Sequence, residues 1–164
     1  PVEETLELSK VSEKKLDIHL MHSRPLSYIE QIKDLKNIEY ITIHLEIEEN
    51  IQNILNKIKE YGFKRGISIK PNTDINKLIS YLDNIDLILI MTVEPGQGGQ
   101  PFLESSPNRI KEIKNLIKDK NILLEVDGGI NDKTINLVNT ADIAVVGSYI
   151  TTSDNMIEKV KTLV

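Results

Sequence analysis

The sequence predicts an α/β fold built on a parallel sheet, and three observations predict it. Six short segments rich in Ile, Val and Leu recur along the 164 residues: LDIHLM (16–21), EYITIHLE (39–46), RGISIK (65–70), DLILIMTV (86–93), NILLEVD (121–127) and DIAVVG (142–147). Stretches with helical spacing lie between them. The six segments also lack the strict polar alternation of a half-solvated strand, as expected of strands covered on both faces. Their starts are about 20 to 35 residues apart, which leaves room for a helical crossover between parallel strands. Such a sheet either stays open and doubly wound or curls into a (β/α) barrel.

In chain order, residues 3–11 read as a helix that precedes the first strand. Residues 26–36 form a short amphipathic helix candidate. In 48–61, Ile51, Ile54, Leu55 and Ile58 share one face. Residues 74–82 are a shorter candidate, with Thr73-Asp74 as its N-cap. In 104–120, Ile110, Ile113 and Ile117 repeat the helical spacing. Residues 132–139 and 154–163 complete the order, the last capped by Ser153-Asp154. Met21 and Met91, at strand ends, read as core filling. No linker or repeat interrupts the chain, so residues 1–164 are expected to form one domain.

Composition narrows the function. The net charge is −5 and acids and bases are interspersed, which speaks against a nucleic-acid surface. There is no cysteine, so thiolate metal sites, disulfides and cysteine nucleophiles are excluded. No apolar run has the length of a membrane span. The expectation is a cytoplasmic protein without membrane or nucleic-acid partners.

Polar residues collect at the C-terminal ends of the six strands: His19, then His44 and Glu46, Lys70, Thr92 and Glu94, Asp127, and Gly147-Ser148. Parallel strands place these ends on one rim, where this architecture carries its chemistry. Three consecutive strand ends open into glycine: EPGQGGQ (94–100), DGG (127–129) and VGS (146–148). Glycine lets backbone N–H groups converge on an anion with no Cβ in the way, so phosphate is the expected ligand. Asp127 ends an apolar strand, and a buried carboxylate must be paired or metal-bound. With His19 it makes the beginning of an oxygen/nitrogen metal site. His44 and Glu46 read equally as supporting hydrogen bonders and as substrate contacts. His22 reads as surface and Glu125 as structural.

The segments LDIHLM, IHLE, GISIKPNT, LILIMTVEPGQGGQPF, LLEVDGGI and AVVGS resemble, in order and spacing, the ribulose-phosphate 3-epimerase family over essentially the whole chain. The resemblance implies a (β/α) TIM-type barrel of the ribulose-phosphate-binding kind. It implies interconversion of ribulose 5-phosphate and xylulose 5-phosphate with a divalent metal (zinc, iron or manganese). It implies His19 and Asp127 as metal ligands and Asp127 as a catalytic acid/base. It implies substrate or phosphate contacts from His19, Gly96, Gln97, Gly98, Gly99, Gly128, Gly129, Gly147 and Ser148. An epimerase of a six-carbon ketose phosphate such as allulose 6-phosphate, and a sugar-phosphate-binding barrel without catalysis, are the alternatives.

Two departures shape the expectations. Gln97 stands where the family usually has Phe. The family also has a front portion with an H-x-D-x-M-D-G segment, and nothing in residues 1–18 matches it. Six strand–helix units against the family's eight predict an incomplete barrel with a leading helix. Its unpaired edge strands would favour homo-oligomerisation, and the chain alone is expected to be catalytically inactive or nearly so.

Overall fold

The computed structural model describes residues 2–94 and 100–164. All six strands form at the expected places: β1 (Leu16–Leu20), β2 (Ile38–His44), β3 (Lys64–Ile69), β4 (Leu87–Met91), β5 (Leu123–Asp127) and β6 (Ile143–Val145). They make a single sheet in the order β1-β2-β3-β4-β5-β6. Every neighbouring pair is parallel. Between the strands run α2 (Leu26–Ile32), α3 (Ile51–Glu60), a 3₁₀ segment (Ile75–Tyr81), α4 (Ser106–Leu116) and a second 3₁₀ segment (Ile135–Val138). Helix α1 (Val2–Val11) leads, and α5 (Ser148–Thr151) and α6 (Met156–Lys161) follow β6.

The strands are apolar on both faces because each face has its own core. Alternate residues Ile41, Ile43, Ile67, Ile69, Ile88, Ile90, Leu124 and Val126 are buried in the large core with Ile29, Ile32, Ile54, Leu55, Ile58, Leu78, Ile110 and Ile113 of the crossover segments. Burying one such side chain stabilises the fold by about 1.5–3 kcal/mol. The intervening residues Tyr40, Leu87, Leu89 and Met91 form a second, smaller cluster with Val93. That cluster lies on the inner face, and its presence explains why β4 is buried at all five positions.

The sheet is curled into a half-barrel. The curl brings side chains of β1 to side chains of β5, four strands away: His19 Nδ1 lies 3.7 Å from Asp127 Oδ2. Gly66, at the centre of β3, permits close packing of the inner face. A Cβ there would stand 2.1 Å from Thr42 Oγ1 on β2. Among the described residues β1 and β6 each pair on one side only.

Helix α3 shows how local sequence sets the elements. Asn50 caps it by accepting from the Asn53 N–H at 2.9 Å, Ile54, Leu55 and Ile58 are its buried stripe, and Gly62 follows its end at φ +87°.

Four expectations need correction. Residues 74–82 and 132–139 contribute 3₁₀ rather than α-helical turns. The cap of the last helix is Asn155, whose side chain accepts from the Glu158 N–H at 3.2 Å, not Ser153-Asp154. The Ser153 hydroxyl instead accepts from the Asn155 N–H at 3.1 Å. Met21 is 56% exposed on the rim, whereas Met91 is core as expected. Met21 is the first residue past β1, where the helices no longer cover the chain.

Candidate active site

Strand ends place His19, His44 and Asp127 on one rim. His19 and Asp127 face each other across the curl at 3.7 Å. The second nitrogen of His19, Nε2, lies 2.8 Å from His44 Nε2, with ring centroids 4.9 Å apart and ring planes at 26°. His44 is buried, and its Nδ1 donates to Glu46 Oε2 at 3.3 Å. The other oxygen of Glu46 accepts from the Lys70 backbone N–H at 3.1 Å and from the Thr73 hydroxyl. Burial would raise the Glu46 pKa, but the hydrogen bonds from His44, Thr73 and the Lys70 amide outweigh it and hold the group at about 2. Glu46 is therefore an anion at neutral pH.

The loop that supplies Lys70 and Thr73 is fixed from outside the sheet. Arg109 of α4 donates to the carbonyls of Lys70, at 3.1 Å, and of Thr73. Beside His44 opens a cavity of about 260 Å³ lined by Met21, His22, Ser23, His44, Glu46, Ile47 and Lys70. His22 is exposed as expected, its Nδ1 accepting from the Arg24 N–H at 2.9 Å.

Below the His19–Asp127 layer, Glu125 is almost fully buried on the inner face, with Oε2 unpartnered. Burial first, and then the neighbouring carboxyls of Asp17 and Asp127, push its carboxyl up to about 8.

The other half of the rim is backbone. Gly128 and Gly129 take φ of +119° and +66°. A Cβ on Gly128 would stand 2.4 Å from Val93 Cγ2, and one on Gly129 would stand 2.7 Å from the Phe102 nitrogen. The Gly128 carbonyl accepts from the Thr92 hydroxyl. The Gly129 carbonyl accepts from the Thr134 hydroxyl at 2.8 Å and from Asn131 Nδ2 at 3.3 Å. Since a trans peptide points its N–H opposite its C=O, the bond to the Gly128 carbonyl turns the N–H of Gly129 away from Thr92. Gly147 and Ser148 are exposed, and a Cβ on Gly147 would meet nothing within 4 Å. Gly96, Gln97, Gly98 and Gly99 lie outside the described residues.

Residues 2–151 match the model of the ribulose-phosphate 3-epimerase family. The chain belongs to that family. Among curated relatives, ribulose-phosphate 3-epimerase of Helicobacter pylori strain J99 is 39% identical over 147 residues, covering 87% of this chain and 67% of the relative. That of Bacillus subtilis strain 168 is 36% identical over 145 residues, covering 85% and 66%. That of Buchnera aphidicola subsp. Schizaphis graminum is 40% identical over 139 residues, covering 82% and 60%. The chain thus spans two thirds or less of the length of most of these relatives. Among solved structures, Mycobacterium tuberculosis tryptophan synthase superposes with a TM-score of 0.68 at 14% identity, over 99% of this chain and 65% of that one. Phosphoribosyl anthranilate isomerase from Thermococcus kodakaraensis gives 0.64 at 15% identity, over 99% and 79%. At such identities these two support the fold alone, an incomplete (β/α) barrel.

The sequence pointed to His19 and Asp127 as a pair, and the curl of the six-stranded sheet brings them within 3.7 Å. It left His44 and Glu46 open between two roles; the structure bonds them to His19 and to the loop after β3, and both also line the cavity. It missed Thr73 as a Glu46 partner and Arg109 as the anchor of the loop. An arginine within an amphipathic helix carries no local sign that it reaches back to a strand-end loop.

Proposed function

We propose that this chain carries the metal-assisted 3-epimerase chemistry that interconverts D-ribulose 5-phosphate and D-xylulose 5-phosphate. The observation that carries the reading is the His19–Asp127 pair, 3.7 Å apart on the rim, in a chain of this family. The pair suits a divalent ion. Two metal bonds of about 2.0–2.2 Å span up to about 4.2 Å between donors, which accommodates that separation. An imidazole nitrogen and a carboxylate oxygen suit zinc, iron or manganese. Among the described residues no group of three or more His, Asp or Glu side chains gathers to hold a metal. His19 and Asp127 are then a partial ligand set, and they hold the ion weakly by themselves.

When bound, the ion supplies positive charge for the enediolate oxygens of the reacting sugar. Asp127 removes the proton from C3 on one face of the sugar or returns it there. Inversion needs a second carboxyl on the opposite face. Glu46 does not fill that role, because His44, Thr73 and the Lys70 amide already occupy its oxygens. The expected consequence is that the chain by itself turns over far more slowly than its relatives. The phosphate is taken by backbone N–H groups of the loops at 96–99, 128–129 and 147–148, with Gln97 and Ser148 as polar side chains beside it, and its grip positions C3 against Asp127. His19 also borders the bound sugar.

No helix among the described residues is long and apolar enough to cross a membrane. We place the protein in the cytoplasm with a small sugar phosphate as its partner, and in a homo-oligomer that covers the one-sided edges of β1 and β6. The second substrate reading is a six-carbon ketose phosphate such as allulose 6-phosphate, whose extra carbon would have to extend toward the cavity of about 260 Å³ beside His44.

The test follows solvent deuterium entering C3 of ribulose 5-phosphate and of allulose 6-phosphate, with added zinc or manganese, beside the Helicobacter pylori relative. Slow C3 exchange that depends on metal and on Asp127 supports the reading. Binding of either sugar phosphate without exchange would make the chain a binding protein.

A further inference from the structure

We propose that Glu46 and His44 form a positioning relay that fixes which nitrogen of His19 is free to bind a metal. The inference deepens the metal-site reading above and rests on it.

The argument starts at the Glu46 carboxylate. Its two oxygens are used differently. Oε1 faces two groups that can only donate there, the Lys70 backbone N–H at 3.1 Å and the Thr73 hydroxyl. Oε2 faces His44 Nδ1 at 3.3 Å. A carboxylate can only accept, so His44 Nδ1 must carry the hydrogen. A neutral imidazole carries one proton, which leaves His44 Nε2 with a lone pair. That lone pair points at His19 Nε2, 2.8 Å away. Two lone pairs do not meet at that distance, so His19 Nε2 carries the hydrogen. In the neutral ring His19 Nδ1 is then left bare, and it is the atom that faces Asp127 Oδ2 at 3.7 Å. A lone pair and a carboxylate oxygen left facing each other repel, and a cation between them removes the repulsion. The chain of hydrogen bonds thus prepares the His19–Asp127 pair for a metal ion. Supporting partners of this kind fix the tautomer of a ligating histidine. The geometry is held by elements that do not contact the metal pair: Arg109 of α4 fixes the loop bearing Lys70 and Thr73.

The relay makes an unusual prediction for Glu46→Gln, a change of almost no volume. The Lys70 amide and the Thr73 hydroxyl would retain the amide oxygen of Gln, which turns the NH₂ group toward His44. His44 Nδ1 must then accept, His44 Nε2 must donate, and His19 Nε2 must accept. His19 Nδ1 gains the hydrogen and bonds directly to Asp127, where it blocks the metal.

Nitrogen-15 NMR of the metal-free 164-residue chain reads the tautomers directly. In the wild type, His44 is expected as the Nδ1–H form and His19 as the Nε2–H form. In Glu46→Gln both are expected to reverse. Zinc affinity, measured by competition with a chromophoric chelator, should fall at least about tenfold in the variant. A wild-type His19 in the Nδ1–H form would overturn the relay, and that measurement needs no variant to fold. A loss of zinc affinity without tautomer reversal would also overturn it, since that is what a merely structural role for Glu46 predicts. Should the tautomers and the zinc affinity behave as expected while ribulose 5-phosphate shows no C3 exchange, the relay stands and the epimerase reading fails.

Discussion

The two halves of the rim are made of different material. On the β1–β3 side the features are side chains: Thr73, Glu46, His44 and His19 form one hydrogen-bonded chain, and the free nitrogen of His19 at its end faces Asp127 of β5 at 3.7 Å. On the β5–β6 side the features are backbone: Gly128 and Gly129 at positive φ, with Gly147 open to solvent. The difference is the one the two proposed tasks call for. Moving a proton or holding a metal needs groups whose protonation is set by neighbours, and only side chains offer that. Gripping a phosphate needs several N–H donors at close range, which a backbone without Cβ atoms supplies.

The sharpest way to break the comparison is at the point where the halves meet. Asp127→Asn keeps the shape but removes the proposed acid/base and anionic ligand. C3 exchange on ribulose 5-phosphate should fall by about 10²–10⁴, and zinc binding should weaken with it. An unchanged exchange rate would mean that Asp127 is only structural.

Next in size are the glycines, which do not behave alike. Gly128→Val forces a side chain into Val93 at φ +119°, which should cost roughly 2–4 kcal/mol of stability by denaturant unfolding. Its effect on phosphate binding is therefore hard to separate from its effect on the fold. Gly147→Ala should leave stability within about 0.5 kcal/mol. A clear loss of ribulose 5-phosphate affinity in that variant, measured by calorimetry, would come from the anion site itself. No loss of affinity would remove Gly147 from the phosphate grip.

Two carboxyls give opposite pH signatures. Glu46 is held down at about 2 against an ordinary 4.5, so its contribution to stability is full above about pH 4.5 and is lost as the pH falls toward 2. Glu125 is raised to about 8, so the folded state binds its proton more tightly than the unfolded chain. Stability should therefore decline as the pH rises from about 4.5 to 8. Melting temperatures of Glu125→Gln should show a gain at pH 8 that is small or absent at pH 5. An equal gain at both would show that the buried charge is not the cause.

The smallest expected effect is Thr73→Val. It removes one of two donors to Glu46 Oε1 and leaves the Lys70 amide. Zinc affinity should fall by less than in Glu46→Gln, and the tautomers should keep their wild-type form. A reversal of the tautomers would mean that Thr73, rather than the Lys70 amide, decides which way the relay runs.

By itself the sequence determined the six strands, their parallel order and the crossover segments between them. Those follow from apolar runs and helical spacing, which are local properties: β4 is legible as DLILIMTV because it is buried on both faces. It also determined the rim, since the polar residues stop the same strands. Tertiary structure alone decided how far the sheet curls, and thus that His19 on β1 meets Asp127 on β5. It decided that Glu46 is held by a loop of the next strand and that Arg109 anchors that loop from α4. It also put Asn155, not Ser153 or Asp154, at the cap of α6. These outcomes depend on contacts between residues that are 24 to 108 positions apart, or on which of several adjacent polar residues reaches a free N–H. No short stretch of sequence carries that information, because the energy that selects it is released only when the inner and outer cores pack.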